Sequence, residues 1–319
     1  MTAAFNRVKE SRWTMIMLPL VLLAGIGIVF TVMTGGNFLT TRNMKVIMQQ
    51  SMIVGTVATG AMFIFATGNV NLAMGSCTAL TATVAAIAYN ATGSLGIMFA
   101  VAIGLGVLIM LFCVVLSTSL HVMVIHVTIV MMTLLSAIQS EIVGGASISL
   151  PYKMTSAANS ANVPLMIFAG FVLFSILLFH LTPVGRYIKM VGANTQAAEL
   201  TGMARSKALT IAFLMAGIGA GLAGLLLIFR TGSISNTTGG SINMDVMLAI
   251  VLGGMPVYGG SKSKAYAPII GAITVTALNN GLLMIGVSAS FLQGVRGVIF
   301  LLLLLIGNKR PVLLPANEG

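Results

Sequence analysis

The chain has 319 residues, of which 58% are hydrophobic and only 7% charged, and its mean hydropathy is +1.07. So few ionic side chains cannot cover a soluble surface, where about a quarter of residues are charged, and this excludes both a soluble enzyme and a disordered chain. The net charge of +11 does not indicate nucleic acid, because Lys and Arg collect in the cytoplasmic loops of membrane proteins.

Charge gaps divide the chain. Asp, Glu, Lys and Arg are absent between Arg12 and Arg42, Lys45 and Glu141, Lys153 and Arg186, Lys207 and Arg230, Asp245 and Lys262, and Lys264 and Arg296. A membrane-crossing helix needs about 20 apolar residues, since the hydrocarbon core is about 30 Å thick and each residue rises about 1.5 Å. The first gap predicts one span near 14–34, and its length argues for a retained helix over a cleaved signal. The stretch 46–140 holds four, divided by turn-formers at Gly68-Asn69, Asn90 to Ser94, and Ser117-Thr118-Ser119. Further spans are predicted near 163–182, 207–229, 244–258, 265–286 and 290–307. The expected fold is therefore all-α, one polytopic transmembrane domain over 1–319 with about ten spans.

An even count puts both termini on one side. With them in the cytoplasm, Arg7, Lys9, Arg12, Arg186, Lys189, Arg205, Lys207, Lys262, Lys264, Lys309 and Arg310 are inside, while Arg42, Lys45, Lys153 and Arg230 are outside. That asymmetry follows the positive-inside rule. No loop is long enough for an extramembrane domain. Cys77 and Cys113 both fall in apolar stretches and read as small buried hydrophobes.

Chemistry of other kinds is sparse. The segment Gly254 to Ser263 has one residue too many before Lys262 to form a phosphate-cradling G-x-x-x-x-G-K-[ST] loop. His121 and His126, five apart, point away from one another on a helix, the wrong spacing for a metal face; His180 stands alone near a helix end. Only Arg296 lies well inside a predicted span, with Asp245 and Glu141 at span ends, so an ion- or proton-coupled carrier acting alone is disfavoured. The polar groups within or between spans are amides: Gln49, Gln50, Asn69, Asn71, Asn279 and Asn280. They suit either a path for a neutral hydroxylated solute or hydrogen bonds between helices. Gly217 and Gly221 form a G-x-x-x-G face, expected to pack one helix closely on another within the chain.

The longest cytoplasmic loop, 183–206, carries a short predicted helix between Asn194, a good N-cap, and Gly202, a good C′ residue. About two turns are marginal alone, so packing on another surface should hold it, and the small Ala197 and Ala198 would allow close approach.

Here the chain resembles a known family. The pattern Gly192-Ala193-Asn194-x-x-Ala197-Ala198-x-x-x-Gly202-Met203 is similar to the G-G-N-x-x-A-A-x-x-S-G-I loop of bacterial ABC importer permeases in the ribose and monosaccharide, autoinducer-2-like branch. Gly68 to Ser76 is similar to that branch's G-I-D-L-S-V-G-S. Asp245 to Gly254 with Tyr258-Gly259-Gly260 resembles its D-x-I-A-A-V-V-L-G-G-x-x-x-x-G-G, and Leu278-Asn279-Asn280-Gly281-Leu282 its L-N-N-G-L. Departures occur at Asn71, where the family has Asp, at Ala73, where it has Ser, in the T-L-G stretch near Thr128, and in a short outer loop around 143–162.

The resemblance implies an inner-membrane permease subunit, not itself an enzyme, that moves a small hydrophilic solute, a monosaccharide first and a nucleoside or branched-chain amino acid as alternatives. It implies a second permease subunit, a solute-binding protein outside, and ATPase subunits that hold ATP and Mg, with no cofactor on this chain. Gly192, Asn194, Ala197, Ala198, Glu199 and Gly202 would form the ATPase-coupling loop. A structural or assembly protein with no flux is the remaining alternative.

Overall fold

The computed structural model describes residues 12–256 and 258–307, which are almost wholly helical. In chain order the helices are α1 (Arg12–Met33), α2 (Thr41–Ala66), α3 (Met74–Thr92), α4 (Leu95–Ser119), α5 (Val124–Val143), α6 (Tyr152–Ser160) and α7 (Val163–Leu181). There follow α8 (Pro183–Ala193), α9 (Thr195–Leu200), α10 (Arg205–Thr231), α11 (Ile242–Leu252), α12 (Ala267–Met284) and α13 (Ala289–Gly307). Two short strands, β1 (Ile148–Ser149) and β2 (Ser233–Ile234), pair antiparallel with Ile148 opposite Ile234.

Helices occupy each stretch predicted to span. Six of them, α2, α4, α5, α7, α10 and α12, are long and apolar enough to cross a membrane. The chain is a polytopic helical membrane protein. Arg7, Lys9, Lys309 and Arg310, on which the placement of the termini leans, lie outside the described residues.

Two boundaries differ from the sequence reading. The predicted span 244–258 is helical only to Leu252, because Gly254 takes φ +88° and the Met255 N–H turns back to Ile250 O at 3.1 Å. The break expected at Ser117-Thr118-Ser119 falls later, at 120–123. Thr118 Oγ1 satisfies itself on Val114 O at 2.8 Å inside the helix, while Ser117 Oγ donates forward to Val122 O at 2.7 Å and folds the turn.

At the centre stand α2 and α10, packed on each other, with α3 and α4 against α10 and α12 against α2. The glycines of α10 explain how closely α4 approaches. A Cβ on Gly217 would stand 2.7 Å from Gly106 O, and one on Gly221 would meet Ala102 O and Ile103 Cα. The G-x-x-x-G face is thus spent within the chain, on α4, as expected. We predict that Gly221→Val, which forces apart backbones already in contact, lowers thermal stability in detergent by at least the 1–3 kcal/mol typical of overpacking. Gly104→Val, on the same helix as Gly106 but with no atom near its Cβ, should be neutral; equal melting temperatures for the two variants would refute the packing argument.

Two unwound stretches, 67–73 and 235–241, run between these helices, and the start of α3 that follows the first meets the second and the start of α11. Gly75 N–H donates to Asn243 Oδ1, and Gly239 lies against Ala79 and Gly75 O. Backbone without helical bonds is tolerated within an apolar bundle only where protein satisfies it. Here Leu72 N–H reaches Thr128 Oγ1 at 3.3 Å, and Gln139 Nε2 donates to Ser235 O at 2.8 Å. The β1–β2 pair lies beyond the C-terminal end of α10 and the 183–204 loop before its N-terminal end, about 40 Å apart at 1.5 Å per residue.

Candidate functional site

The loop between α7 and α10 is built as a braced platform. Asn194 ends α8 and starts α9, its Oδ1 accepting the Ala197 N–H at 3.0 Å. At the other end Gly202 adopts φ +82°, with Gly202 N–H on Glu199 O at 2.9 Å and Met203 N–H on Ala198 O at 3.0 Å. These two bonds are the Schellman pattern that a left-handed C′ glycine permits. The helix itself is Thr195–Leu200, shorter than the two turns the sequence suggested. Tyr187 OH closes the loop by donating to Ala204 O at 2.7 Å.

The two alanines separate. Successive helical residues point about 100° apart, and Ala198 is buried among Val191, Ala208, Tyr187 and Met203, whereas Ala197, Glu199 and Leu200 are exposed. Ala198 therefore anchors the helix to its own chain, and only Ala197 of the pair is presented outward.

Gly192 ties this platform to the bundle. A Cβ there would collide with Ala66 O at the end of α2, and one on Gly259 with the backbone of Phe65 and Ala66. Gly260 N–H donates to Ala66 O at 3.0 Å, and Gly260 packs on Ala193. Three backbone segments thus touch where side chains would keep them apart. Beside them Lys189 Nζ lies 4.2 Å from the Phe179 ring centre. Burial, and then the charge of Lys264, push the Lys189 ammonium below its usual range, and the ring face offers it partial compensation.

The six candidate amides stand in different surroundings. On α2, Gln49 is exposed and Gln50 half-buried. In the unwound stretch Asn69 Nδ2 donates to Thr67 Oγ1 at 3.0 Å; Asn71, buried, accepts the Ala73 N–H at 2.8 Å and approaches Met110 Sδ at 3.2 Å. Asn280 is buried with Oδ1 unpartnered. No hydrogen bond joins these groups to one another among the described residues, and the bonds of Asn69 and Asn71 are those of structural polar residues.

Asn279 has a different role, and here sequence reasoning missed a site. Arg296 Nε lies 3.1 Å from Asp245 Oδ1 and donates to Asn279 Oδ1 at 3.0 Å, while Asn279 Nδ2 donates to Asp245 Oδ1 at 2.9 Å. The triangle is closed, all three residues are buried, and it joins α11, α12 and α13. Asp245 stands at a span end as the sequence suggested, in the first turn of α11, but it is buried there. Arg296 stands seven residues into α13, and an ion so placed in a bundle must find a partner; that rule could have prompted the search for one, but not chosen Asp245.

With the geometry in place, comparison with known proteins decides the family. Residues 43–304 match the family described as the permease component of branched-chain amino acid transport systems. The chain belongs to this permease family. It is 30% identical to the ribose import permease protein RbsC of Escherichia coli, over 97% of this chain and 98% of that protein. The xylose transport system permease protein XylH of Haemophilus influenzae is 26% identical over 91% and 96%, and the autoinducer 2 import system permease protein LsrD of Yersinia pseudotuberculosis 28% over 80% and 80%. No solved structure matches the chain. The protein is an importer permease, as its loop motifs implied.

Proposed function

We propose that this chain is the permease subunit of a binding-protein-dependent ABC importer in the bacterial inner membrane, carrying a monosaccharide or a chemically similar neutral solute. The observation that carries the reading is the α9 platform. A six-residue helix capped at both ends, anchored by Ala198 on α8 and α10 and joined through Gly192 to the backbone at the end of α2, is a rigid lever on the surface. A separate ATPase, holding ATP and Mg, would drive it, and the contacts of Gly192 and Gly260 with Ala66 would pass the movement into α2 and α12. A second permease subunit would complete the path, and a solute-binding protein would deliver solute outside. The full-length likeness to ribose, xylose and autoinducer 2 permeases supports a sugar-like solute.

All ten helices other than α6, α8 and α9 would span, as one permease domain over 1–319, with both termini cytoplasmic. Cysteines at Ser261 and Ala193 should then be labelled only from the cytoplasmic side, and one at Asn236 only from outside; all three positions are exposed. Labelling of Ser261 from outside would overturn this topology.

The function itself is tested in proteoliposomes holding the permease, its ATPase and its binding protein. Uptake of labelled ribose or xylose should require ATP and the binding protein; uptake driven by a proton or sodium gradient without ATP would favour a secondary carrier. Branched-chain amino acids and nucleosides belong in the same assay, since the family's description includes the former. The closed triangle argues against the carrier, because Asp245 is already neutralised by Arg296 and offers no free carboxylate to load.

A further inference from the structure

We propose that the α4–α5 turn, residues 120–123, is a second docking element for the ATPase, which inserts a segment into the cleft between this turn and α9. This rests on the reading that α9 docks the ATPase. The cleft measures about 630 Å³. Ser117, Thr118 and His121 line it from the turn side, and Glu199, Arg205 and Ser206 from the α9–α10 side. Its volume falls in the range that holds a few side chains of a partner.

The rim is apolar. Met123, which lines the cleft with Glu199 and Arg205, is 69% exposed, and Leu120 and Leu200, each next in sequence to a lining residue, are 63% and 90% exposed. Exposed large apolar groups around a polar floor fit a protein surface that excludes water at its edge and pairs hydrogen bonds inside. The turn is also held in place. Ser117 Oγ donates to Val122 O at 2.7 Å, Val122 N–H returns to Ser117 O at 3.1 Å, and His121 sits at φ +54°. A non-glycine residue in that region is strained, and the surrounding bonds must over-determine it.

The occupant follows from continuity. The C-terminal end of α9 forms one wall of the cleft through Glu199 and Gly202, so a protein seated on α9 borders the cleft that Met123 lines. His121, Arg205 and Ser206 line the cleft beside Glu199, which suits a segment offering hydrogen-bonding groups among apolar side chains. The mechanical consequence is specific. The turn ends α4, α9 leads into α10, and α4 and α10 are locked together through Gly106, Gly217 and Gly221. Two docking points would therefore grip one rigid pair of helices at neighbouring ends.

The test places a photo-crosslinking amino acid at Met123, at Leu200, or at the outer Asn236, with the co-expressed ATPase tagged. Adducts with the ATPase are expected from Met123 and Leu200 and not from Asn236. Adducts from Leu200 alone would overturn the second docking element and leave the α9 reading standing; adducts from neither would remove both. If Met123 instead captures a peptide of this chain's own termini, the cleft has an internal occupant and the proposal fails. As a second arm, Leu120→Asp with Met123→Asp should cut ATP-dependent uptake at least tenfold at normal permease abundance, and undiminished uptake would count against it.

Discussion

Arg296→Leu alone is expected to remove most of the permease from the membrane, and adding Asp245→Leu should bring much of it back. The triangle of Asp245, Asn279 and Arg296 is buried on every side, so deleting the guanidinium strands a carboxylate in an apolar bundle. Breaking a buried pair by removing one partner costs about 3–5 kcal/mol, whereas replacing both by apolar groups is often neutral. Recovery should be incomplete, because Asn279 then loses both its acceptor and its donor, at about 1–3 kcal/mol for a buried polar group left unpaired. Asn279→Leu on top of the double variant should restore part of that deficit. The measurements are permease abundance in isolated membranes and melting temperature in detergent for all three variants. A stable Arg296→Leu single variant would show that water or lipid headgroups reach the pair, contrary to its burial.

The same triangle shows where sequence reasoning stops. Helix positions were legible because hydropathy and charge gaps report on each stretch by itself: α7 and α13 begin and end within a residue or two of their predicted limits. The caps of α9 were legible for the same reason, since Asn194 and Gly202 act on residues within four positions of themselves. The sequence separation of 51 between Asp245 and Arg296 carries no local signal that the two meet. Neither do the contacts of Gly192 with Ala66 or of Gly75 with Asn243, which the fold alone creates. Ala197 and Ala198 are an intermediate case. Their spacing already implied different directions, but which one faced inward depended on Val191 and Ala208, on flanking helices.

That separation makes the two alanines the sharpest probe of coupling. Ala197→Trp adds a large side chain at an exposed position, so the loop and the bundle should fold as before. If α9 seats in the ATPase, the indole occupies the space its surface needs, and a packed interface cannot absorb it without about 1–3 kcal/mol or more. Normal permease abundance, poor co-purification of the ATPase and lost uptake are the expected result. Ala198→Trp should act differently, because its bulk meets Val191, Ala208 and Tyr187 within the chain. It would unseat α9 itself, visible as protease sensitivity between 183 and 206 even in permease purified without the ATPase. Gly202→Val belongs with it: no atom crowds Gly202, but φ +82° is a conformation a β-branched residue resists, so the Schellman bonds to Glu199 and Ala198 would open. Equal protease resistance in all three variants would contradict the anchored helix. Full uptake by Ala197→Trp would mean that α9 is not the surface the ATPase holds.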